Sequence, residues 1–598
     1  MNSFRLADLG GEGVLHATPG QEKAFTPTAI EHTPLSRLGA GKEVDAVAGR
    51  DLGHRGVLDG TLQHRGFLAG IYIGREETQL DRASGDVPLG GSRAALATLR
   101  AVKTPAFEPH LVLLRFSGEL STKARATRRQ FVTRLLRNVK DALASEGYQG
   151  EIVRHHDRVL VEVSSPGAVS VLERIFGLQS LSPALRRPGS SLEEIVSAGH
   201  EIFRDAVRGR RFAVRARYVG GREGSSFSSK EVEIELGEAL RALAARVDLD
   251  DPEVTAHVEI HRGQAYFFTV RRAGHGGLPV GSGDRAVALV SGGFDSAVAA
   301  WQLLKRGVNL DYVFCNLGGS SHQLGTLRVM KIIADRWSYG SRPRLHAVDF
   351  EGVSRELQRN TTPRYWQVLL KRSMLRSAEA IARECGSCAI VTGEAVGQVS
   401  SQTLRNLATI SEATRMPILR PLIGFNKDEI IETANRIGTG PLSAAVAEYC
   451  AMVPRRPSTS AKLDVVLKEE SRIDPAVLEK AIANREVLNL RALDPDDSGL
   501  GELETSEIPD GASVIDLRSR EEFLAWHHPD AVRLDFSHAL EAYPSFARDR
   551  TYVLYCEFGL KSAHLAELMA REGLRARHFR GGTRAIRRHC ERTQAKAR

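Results

Sequence analysis

From about residue 110 onward, apolar residues recur with two different periods. Leu111-Val112-Leu113-Leu114-Arg115-Phe116 is a short, nearly continuous apolar run and predicts a strand, turned by Ser117-Gly118-Glu119. Between Lys123 and Ala144 the period changes to that of a helix, with Phe131, Val132, Leu135, Leu136 and Val139 on one face. Glu151 to Val163 supplies two more short strands. Helices are predicted over Leu192–Ala206 and Lys230–Val247. Phe212 to Tyr218 alternates strictly, setting Arg215 and Arg217 opposite Phe212, Val214 and Tyr218. Val254–Ile260 and Gln264–Arg271 read as a strand pair around Arg262-Gly263.

The second half alternates strands with helices. Ala286–Val290, Asp311–Leu317, Arg344–Phe350 and Ala389–Thr392 are short apolar strands separated by helical stretches, which predicts βαβ units and a parallel sheet. In such a sheet ligands sit past the carboxyl ends of the strands. Asn316–Ser321, Gly393-Glu394 and Gly397–Gln402 would lie there. Asp494–Gly511 holds seven acidic residues and no Lys or Arg and reads as a linker. A small α/β unit then opens at Ser513–Arg518. Tyr552–Tyr555 is its inner strand, ending at Cys556 ahead of a short loop and a helix from Ala563 to Glu572.

Residues 1 to about 104 carry 16 of the 55 glycines and a near-repeat, His54–Gly60 and His64–Gly70, without a sustained period. They read as a poorly ordered extension. A histidine-rich binding arm is the alternative, and its spacing fits no metal template.

Composition narrows the class. The 598 residues allow several domains, and 42% apolar with 26% charged is ordinary for globular proteins. A net charge of +9 favours a polyanionic partner, most simply nucleic acid. The run Lys123–Lys140 has seven Lys or Arg and no acid, and arginines at 208, 210, 211, 215, 217 and 222 would equally suit an RNA backbone. Six cysteines are no disulfide framework in so long a chain. There is no apolar run long enough for a membrane span and no signal-peptide core, so a reducing, cytoplasmic setting is expected.

The stretch with the clearest chemistry is Ser291-Gly292-Gly293-Phe294-Asp295-Ser296, between a strand and a helix. A strand–turn–helix aims backbone N–H groups and a positive helix end at an anion. Gly292 and Gly293 admit phosphates closely, and Ser291 and Ser296 add hydroxyl donors. Asp295 is itself an anion, so its role is to hold the loop or a Mg2+ ion. The absence of Gly-Lys-Ser/Thr excludes the common P-loop.

These motifs together resemble the bacterial tRNA 4-thiouridine synthetase (tRNA sulfurtransferase) family in its long form, over residues 108 to 582. The resemblance rests on Ser291–Ser296, on Thr392–Ala395 with Gly397–Thr403, on Glu448-Tyr449-Cys450, and on Cys556 with the rhodanese landmarks Ile515–Arg518 and Glu522-Phe523. It implies an α/β multidomain chain. The expected parts are an N-terminal extension (1–104), a ferredoxin-like domain (105–165), a THUMP RNA-binding domain (166–271), a parallel-sheet PP-loop ATP pyrophosphatase domain (272–493), an acidic linker (494–511) and a rhodanese-like α/β domain with a basic tail (512–598). Two departures stand out. Phe558 occupies a loop position where many members are basic, leaving Lys561 to supply charge. The tail from Arg575 has nine Lys or Arg against Glu591 alone and is either an added RNA contact or a frayed end.

The resemblance further implies ATP contacts at Leu289, Val290, Lys371, Gly393 and Gln402 beside the 291–296 loop, with Mg2+ accompanying ATP. Lys371 would stabilise developing phosphate charge; an ordinary surface lysine is the plain alternative. A uridine O4 in tRNA, at position 8, would be adenylated so that AMP leaves. Cys556 would carry the replacing sulfur as a persulfide, and Cys450 would resolve the product by forming a disulfide with Cys556. Implied partners are the acceptor end of tRNA, a cysteine desulfurase, a reductant, and a sulfur-carrier protein of thiamin synthesis. Two other readings stand beside this one: a non-catalytic tRNA-binding protein, and a rhodanese-only sulfur donor for thiazole synthesis. Among the remaining cysteines, Cys315 reads as buried in a strand. Cys385 and Cys388 have redox spacing that is weak by itself, and Cys590 lies in the tail.

Overall fold

The computed structural model describes residues 111–155, 158–221, 224–446, 454, 456–494 and 501–597. The extension 1–104 and the Glu448–Cys450 motif lie outside the described residues, as does Arg222.

Nine strands form the first sheet: β1 (Leu111–Phe116), β2 (Gly150–His155), β3 (Arg158–Val163), β4 (Leu178–Pro188), β5 (Arg211–Tyr218), β6 (Arg246–Val247), β7 (Val254–His261), β8 (Gln264–Phe268) and β9 (Arg272–Ala273). They run in the order β2-β3-β1-β4-β8-β7-β5-β6, with β9 on β4. The eleven-residue β4 joins two halves of this sheet. Its first part pairs antiparallel with β1, and its last four residues pair with β8. Helix α1 (Arg125–Ser145) buries Val132, Leu135, Val139 and Leu143, which leaves Arg125, Arg129 and Arg137 exposed and Arg128 and Arg134 half-buried. Helices α2 (Leu192–Val207) and α3 (Ser229–Arg241) each begin with a capping box, Ser191/Glu194 and Ser228/Glu231.

Helix α3 stops at Arg241, short of the predicted Val247. Arg246 and Val247 instead pair parallel with Arg211 and Phe212 at the sheet edge. Backbone pairing there wins over local helix preference. The arginine run is also less available than its sequence suggests. Arg211 bonds Asp251, Arg215 bonds the Leu249 carbonyl, and Arg217 pairs with Glu259.

Glu259 ties the two parts of this sheet together. It accepts from Arg115 at 2.8 Å and from Arg158 at 3.1 Å, and both it and Arg115 are buried. Burial raises its carboxyl, but Arg115, Arg217 and Arg158 outweigh that and hold it at about 2.

The second sheet has the order β14-β13-β10-β11-β12-β15. Its strands are β10 (Arg285–Val290), β11 (Asn309–Asn316), β12 (Arg344–Asp349), β13 (Ile390–Val391), β14 (Ile418–Leu419) and β15 (Glu486–Asn489). The four predicted strands are parallel, β14 extends them in the same sense, and β15 adds antiparallel at the β12 edge. Both faces are covered. Ala288, Val290 and Phe314 enter one core, and Val287, Val313 and Ile390 enter the other.

The third sheet, β16-β20-β19-β17-β18, is all parallel. It comprises β16 (Glu504–Thr505), β17 (Ser513–Asp516), β18 (Ala531–Arg533), β19 (Thr551–Tyr555) and β20 (Arg575–Phe579), with helix α8 (Arg520–Ala525) between β17 and β18. The acidic segment is therefore not linker throughout, because β16 covers the β20 edge. The start of the basic tail is likewise sheet, since β20 lies beside the inner strand β19.

Candidate active site

Strand β10 ends at Val290, and helix α4 (Phe294–Lys305) begins within the Ser-Gly-Gly-Phe-Asp-Ser motif itself. Its first amide groups therefore face the turn. Gly292 has φ +75°, and a Cβ there would lie 2.9 Å from the Thr326 Cα. Ser296 fastens the turn: its hydroxyl accepts from the Ser291 N–H at 3.3 Å and donates to the Gly293 carbonyl at 3.1 Å. Leu289 and Val290 lead into this turn from the strand.

Asp295 holds the loop. Its carboxylate accepts from Lys427 Nζ at 2.8 Å and Gln398 Nε2 at 2.9 Å. Lys427 opens helix α7 (Lys427–Ile437) and also lies over the Phe294 ring. A hard cation at Asp295 would have to displace that ammonium, so these residues do not form a protein cage for Mg2+.

The strand ends supply the other wall. Gly393 has no room for a side chain, because a Cβ would sit 2.7 Å from the Asp295 carbonyl carbon. Beside it, buried Glu394 accepts from Lys371 Nζ at 2.9 Å and Arg420 Nε at 2.8 Å. Lys371 sits on helix α6 (Trp366–Glu384). Burial raises the Glu394 carboxyl, and the two cations overcome it to keep the group ionised. Lys371 is thus no free surface lysine. Gln402 is buried, and its side-chain oxygen has no partner among the described residues. An unmatched acceptor beside an anion cradle fits the exocyclic amino group of an adenine.

Cys556 follows β19. Gly559 takes φ +77°, and helix α9 (Leu560–Arg571) starts at once. The thiol is buried and lies 3.5 Å from both the Ser562 N–H and its hydroxyl, which gives an anion on sulfur two donors. Lys561 places its Nζ over the Phe536 ring, 5.8 Å from the ring centre. Arg328 reaches the loop as well and donates to the Phe558 carbonyl.

Arg328 belongs to helix α5 (Gly319–Trp337) of the second sheet's domain, so the two candidate sites share one helix. Glu567 of α9 accepts from the Ser320 and Ser321 amides at 3.2 and 3.0 Å, at the head of α5. Gly319 is crowded by Glu567 and Arg571, which leaves no space for a Cβ. Leu324 packs with Leu560 and Ala563, and Val446 and Phe558 join the same cluster. On its other side, α5 presents Thr326 to Gly292 and His322 to the Ser291 backbone. Burial lowers His322 to about 4; the Ser291 hydrogen bond opposes this, so the ring is neutral at pH 7.

The sequence reading missed Lys427, Arg420, His322, Arg328 and Glu567. Only Lys427 left a local signal, as a cation in the first turn of a helix, where the dipole disfavours it unless an acid is near. Cys315 is buried in β11 and its thiol is pushed up by burial. Cys385 lies with His346 and Asp311 in a group whose ligand atoms are within 4.8 Å of one another. Arg285 and Arg344 already hold Asp311, and Arg485 meets His346, so this group does not suit a cation. On α1, Arg129, Arg134 and Arg137 line a cavity of about 400 Å³ with Gly281 and Ser282.

Comparison with known proteins gives matches to four families. Residues 111–182 match the ThiI ferredoxin-like domain, 189–270 the THUMP domain, 281–474 the family described as "Thiamine biosynthesis protein (ThiI)", and 502–589 the rhodanese-like domain. A tRNA sulfurtransferase of Pyrobaculum aerophilum is 38% identical over 472 residues, covering 78% of this chain and 96% of that protein. One from Actinobacillus succinogenes is 33% identical over 462 residues, covering 75% and 95%. A solved 4-thiouridine synthetase–RNA complex with bound ATP is 31% identical with a TM-score of 0.58, covering 63% of this chain and 98% of that one.

Proposed function

The chain belongs to the tRNA sulfurtransferase (ThiI) family, and from that premise we propose how its two sites share one reaction. It is a transferase, and its reaction is ATP-dependent thiolation of tRNA. The Ser291–Ser296 loop binds the phosphates of ATP, while Gln402 receives the adenine and Gly393 closes the wall. Lys371, steadied by Glu394, faces the phosphate charge. Mg2+ would arrive on the ATP phosphates and supply further charge neutralisation there. A uridine O4 of the tRNA, at position 8, attacks the α-phosphorus and pyrophosphate leaves, so that O4 later departs with AMP.

Sulfur comes from Cys556, loaded as a persulfide by a cysteine desulfurase. Its terminal sulfur attacks C4 and AMP is expelled, leaving the base joined to Cys556 through a disulfide. The Cys450 thiolate attacks the Cys556 sulfur, releasing 4-thiouridine and forming the Cys450–Cys556 disulfide. A two-electron thiol reductant reopens it. That requirement favours the cytoplasm. Among the described residues no helix is long and apolar enough to cross a membrane. The same persulfide would also serve a sulfur-carrier protein of thiamin synthesis, a role tested by whether Cys556→Ser makes cells thiamin-dependent.

One observation carries this reading: α5 touches the ATP-type loop through His322 and Thr326 and the Cys556 loop through Arg328. Val446, four positions before Cys450, packs in the cluster that includes Phe558. Four residues reach at most about 14 Å, which supports a meeting of the two thiols. Nucleoside mass spectrometry of tRNA from cells with and without the protein tests the reading. Loss of 4-thiouridine in its absence is expected, and unchanged 4-thiouridine would refute it.

A further inference from the structure

The last helix, α10 (Gly582–Ala597), follows β20 and abuts the Cys556 loop at its first turn. The Thr583 N–H donates to the Cys556 carbonyl at 3.0 Å, and the Thr583 hydroxyl reaches the same oxygen at 3.3 Å. Gly582 packs so closely that a Cβ would lie 2.6 Å from that oxygen. One face of α10 is anchored: Ile586 is fully buried with Val514, Val553, Tyr555 and Phe579, and the His589 ring meets Phe579 at 5.5 Å.

The opposite face is a row of cations. Arg584, Arg588 and Arg592 are all exposed and follow at intervals of four, and Lys596 continues the interval in the sequence. Four residues rise about 6 Å, so the three guanidinium groups form a ridge about 12 Å long. The only acid of the helix, Glu591, lies 3.6 Å from Arg587. Among the described residues no carboxylate pairs with Arg584, Arg588 or Arg592. Like charges four apart on a helix repel. Such a ridge is relieved by a partner carrying a row of negative charges at comparable spacing, and a nucleic-acid backbone is one.

We propose that Arg584, Arg588 and Arg592 bind the sugar–phosphate backbone of the RNA substrate and so hold it beside the persulfide loop. This rests on tRNA being the substrate. The ridge adds an RNA contact on the sulfur-carrying domain, separate from the first sheet and its helices. Because α10 is hydrogen-bonded to Cys556 through Thr583, RNA held on it is held in register with the sulfur donor. Phosphate contacts of this kind orient a substrate without reading its sequence.

The test uses the full-length protein carrying Arg584→Gln, Arg588→Gln and Arg592→Gln together, with the matching triple Lys variant as a charge-preserving control. tRNA affinity is measured by fluorescence anisotropy between about 50 and 300 mM KCl, and transfer of sulfur from thiosulfate to cyanide is measured without RNA. The Gln variant is expected to bind tRNA about tenfold more weakly near 100 mM. Its plot of log affinity against log salt should lose about two to three units of slope, with sulfur transfer to cyanide unchanged and the Lys variant near the parent. Parental slope and affinity in the Gln variant would overturn the ridge while leaving the substrate reading intact. So would unchanged RNA binding with slower loading from a cysteine desulfurase, since the ridge would then be a protein contact. A parent protein that does not bind tRNA at all would overturn both.

Discussion

The Glu567 carboxylate accepts the backbone N–H of Ser321 at 3.0 Å, which places an acid of the rhodanese-like unit as the cap of a helix in the nucleotide-binding unit. Carboxylates suit helix N-termini because orphan amides and the helix dipole both favour negative charge. The neighbouring Arg328–Phe558 contact and the Leu324–Leu560–Ala563 packing make this a seated interface. The sulfur-bearing loop is thereby held against α5, whose far side carries the ATP-type loop.

Replacing Glu567 with Arg should unseat that interface. Loss of a capping carboxylate costs about 1–2 kcal/mol, and 1.4 kcal/mol is a factor of ten. tRNA thiolation is therefore expected to fall about tenfold or more, while thiosulfate-to-cyanide transfer by Cys556 continues. Equal losses in both assays would show that the substitution damages the rhodanese-like unit itself.

Cys556→Ser and Cys450→Ser should each reduce thiolation to background. The buried thiol at 556 has two donors that suit an anionic sulfur, and a hydroxyl forms no persulfide. tRNA binding and tRNA-dependent pyrophosphate release should persist in both variants, because adenylation precedes the attack of sulfur. Quantifying 4-thiouridine alongside pyrophosphate checks this, and thiolation at the parental rate in either variant would end the two-thiol scheme.

Gly393→Ala should impair nucleotide binding. Its Cβ would press on the Asp295 backbone at 2.7 Å, and backbone cannot swing aside as a side chain can. ATP affinity by calorimetry is expected to drop about tenfold or more. Parental affinity would mean that the 392–394 segment moves freely relative to the loop.

Glu259 should give the first sheet a specific acid sensitivity. Its carboxyl sits at about 2 rather than 4.5. A depressed carboxyl stabilises the fold fully above its unfolded value and loses that contribution as pH falls from about 4.5 towards 2. Glu259→Gln is then expected to cost about 3 kcal/mol at pH 7, with the gap to the parent narrowing at pH 3. Urea unfolding at the two pH values checks this. A gap that stays constant with pH would assign the loss to packing alone.

The residues by themselves determined the order of the units, the strand–glycine–helix loop at 291–296 and the place of Cys556 at the end of an inner strand. Each is a local pattern: apolar periodicity, glycine at a turn, a small α/β repeat. They could not show that β16 covers the β20 edge of the last sheet, because a two-residue strand carries no period of its own. Nor could they show that Arg211, Arg215 and Arg217 serve their own domain, since their acceptors at Asp251, Leu249 and Glu259 are 34 to 42 positions away. The tertiary structure alone decided that α5 serves both sites. Glu567 and Ser321 are 246 residues apart in sequence. A single carboxylate has no meaning as a cap until folding brings a helix end to it.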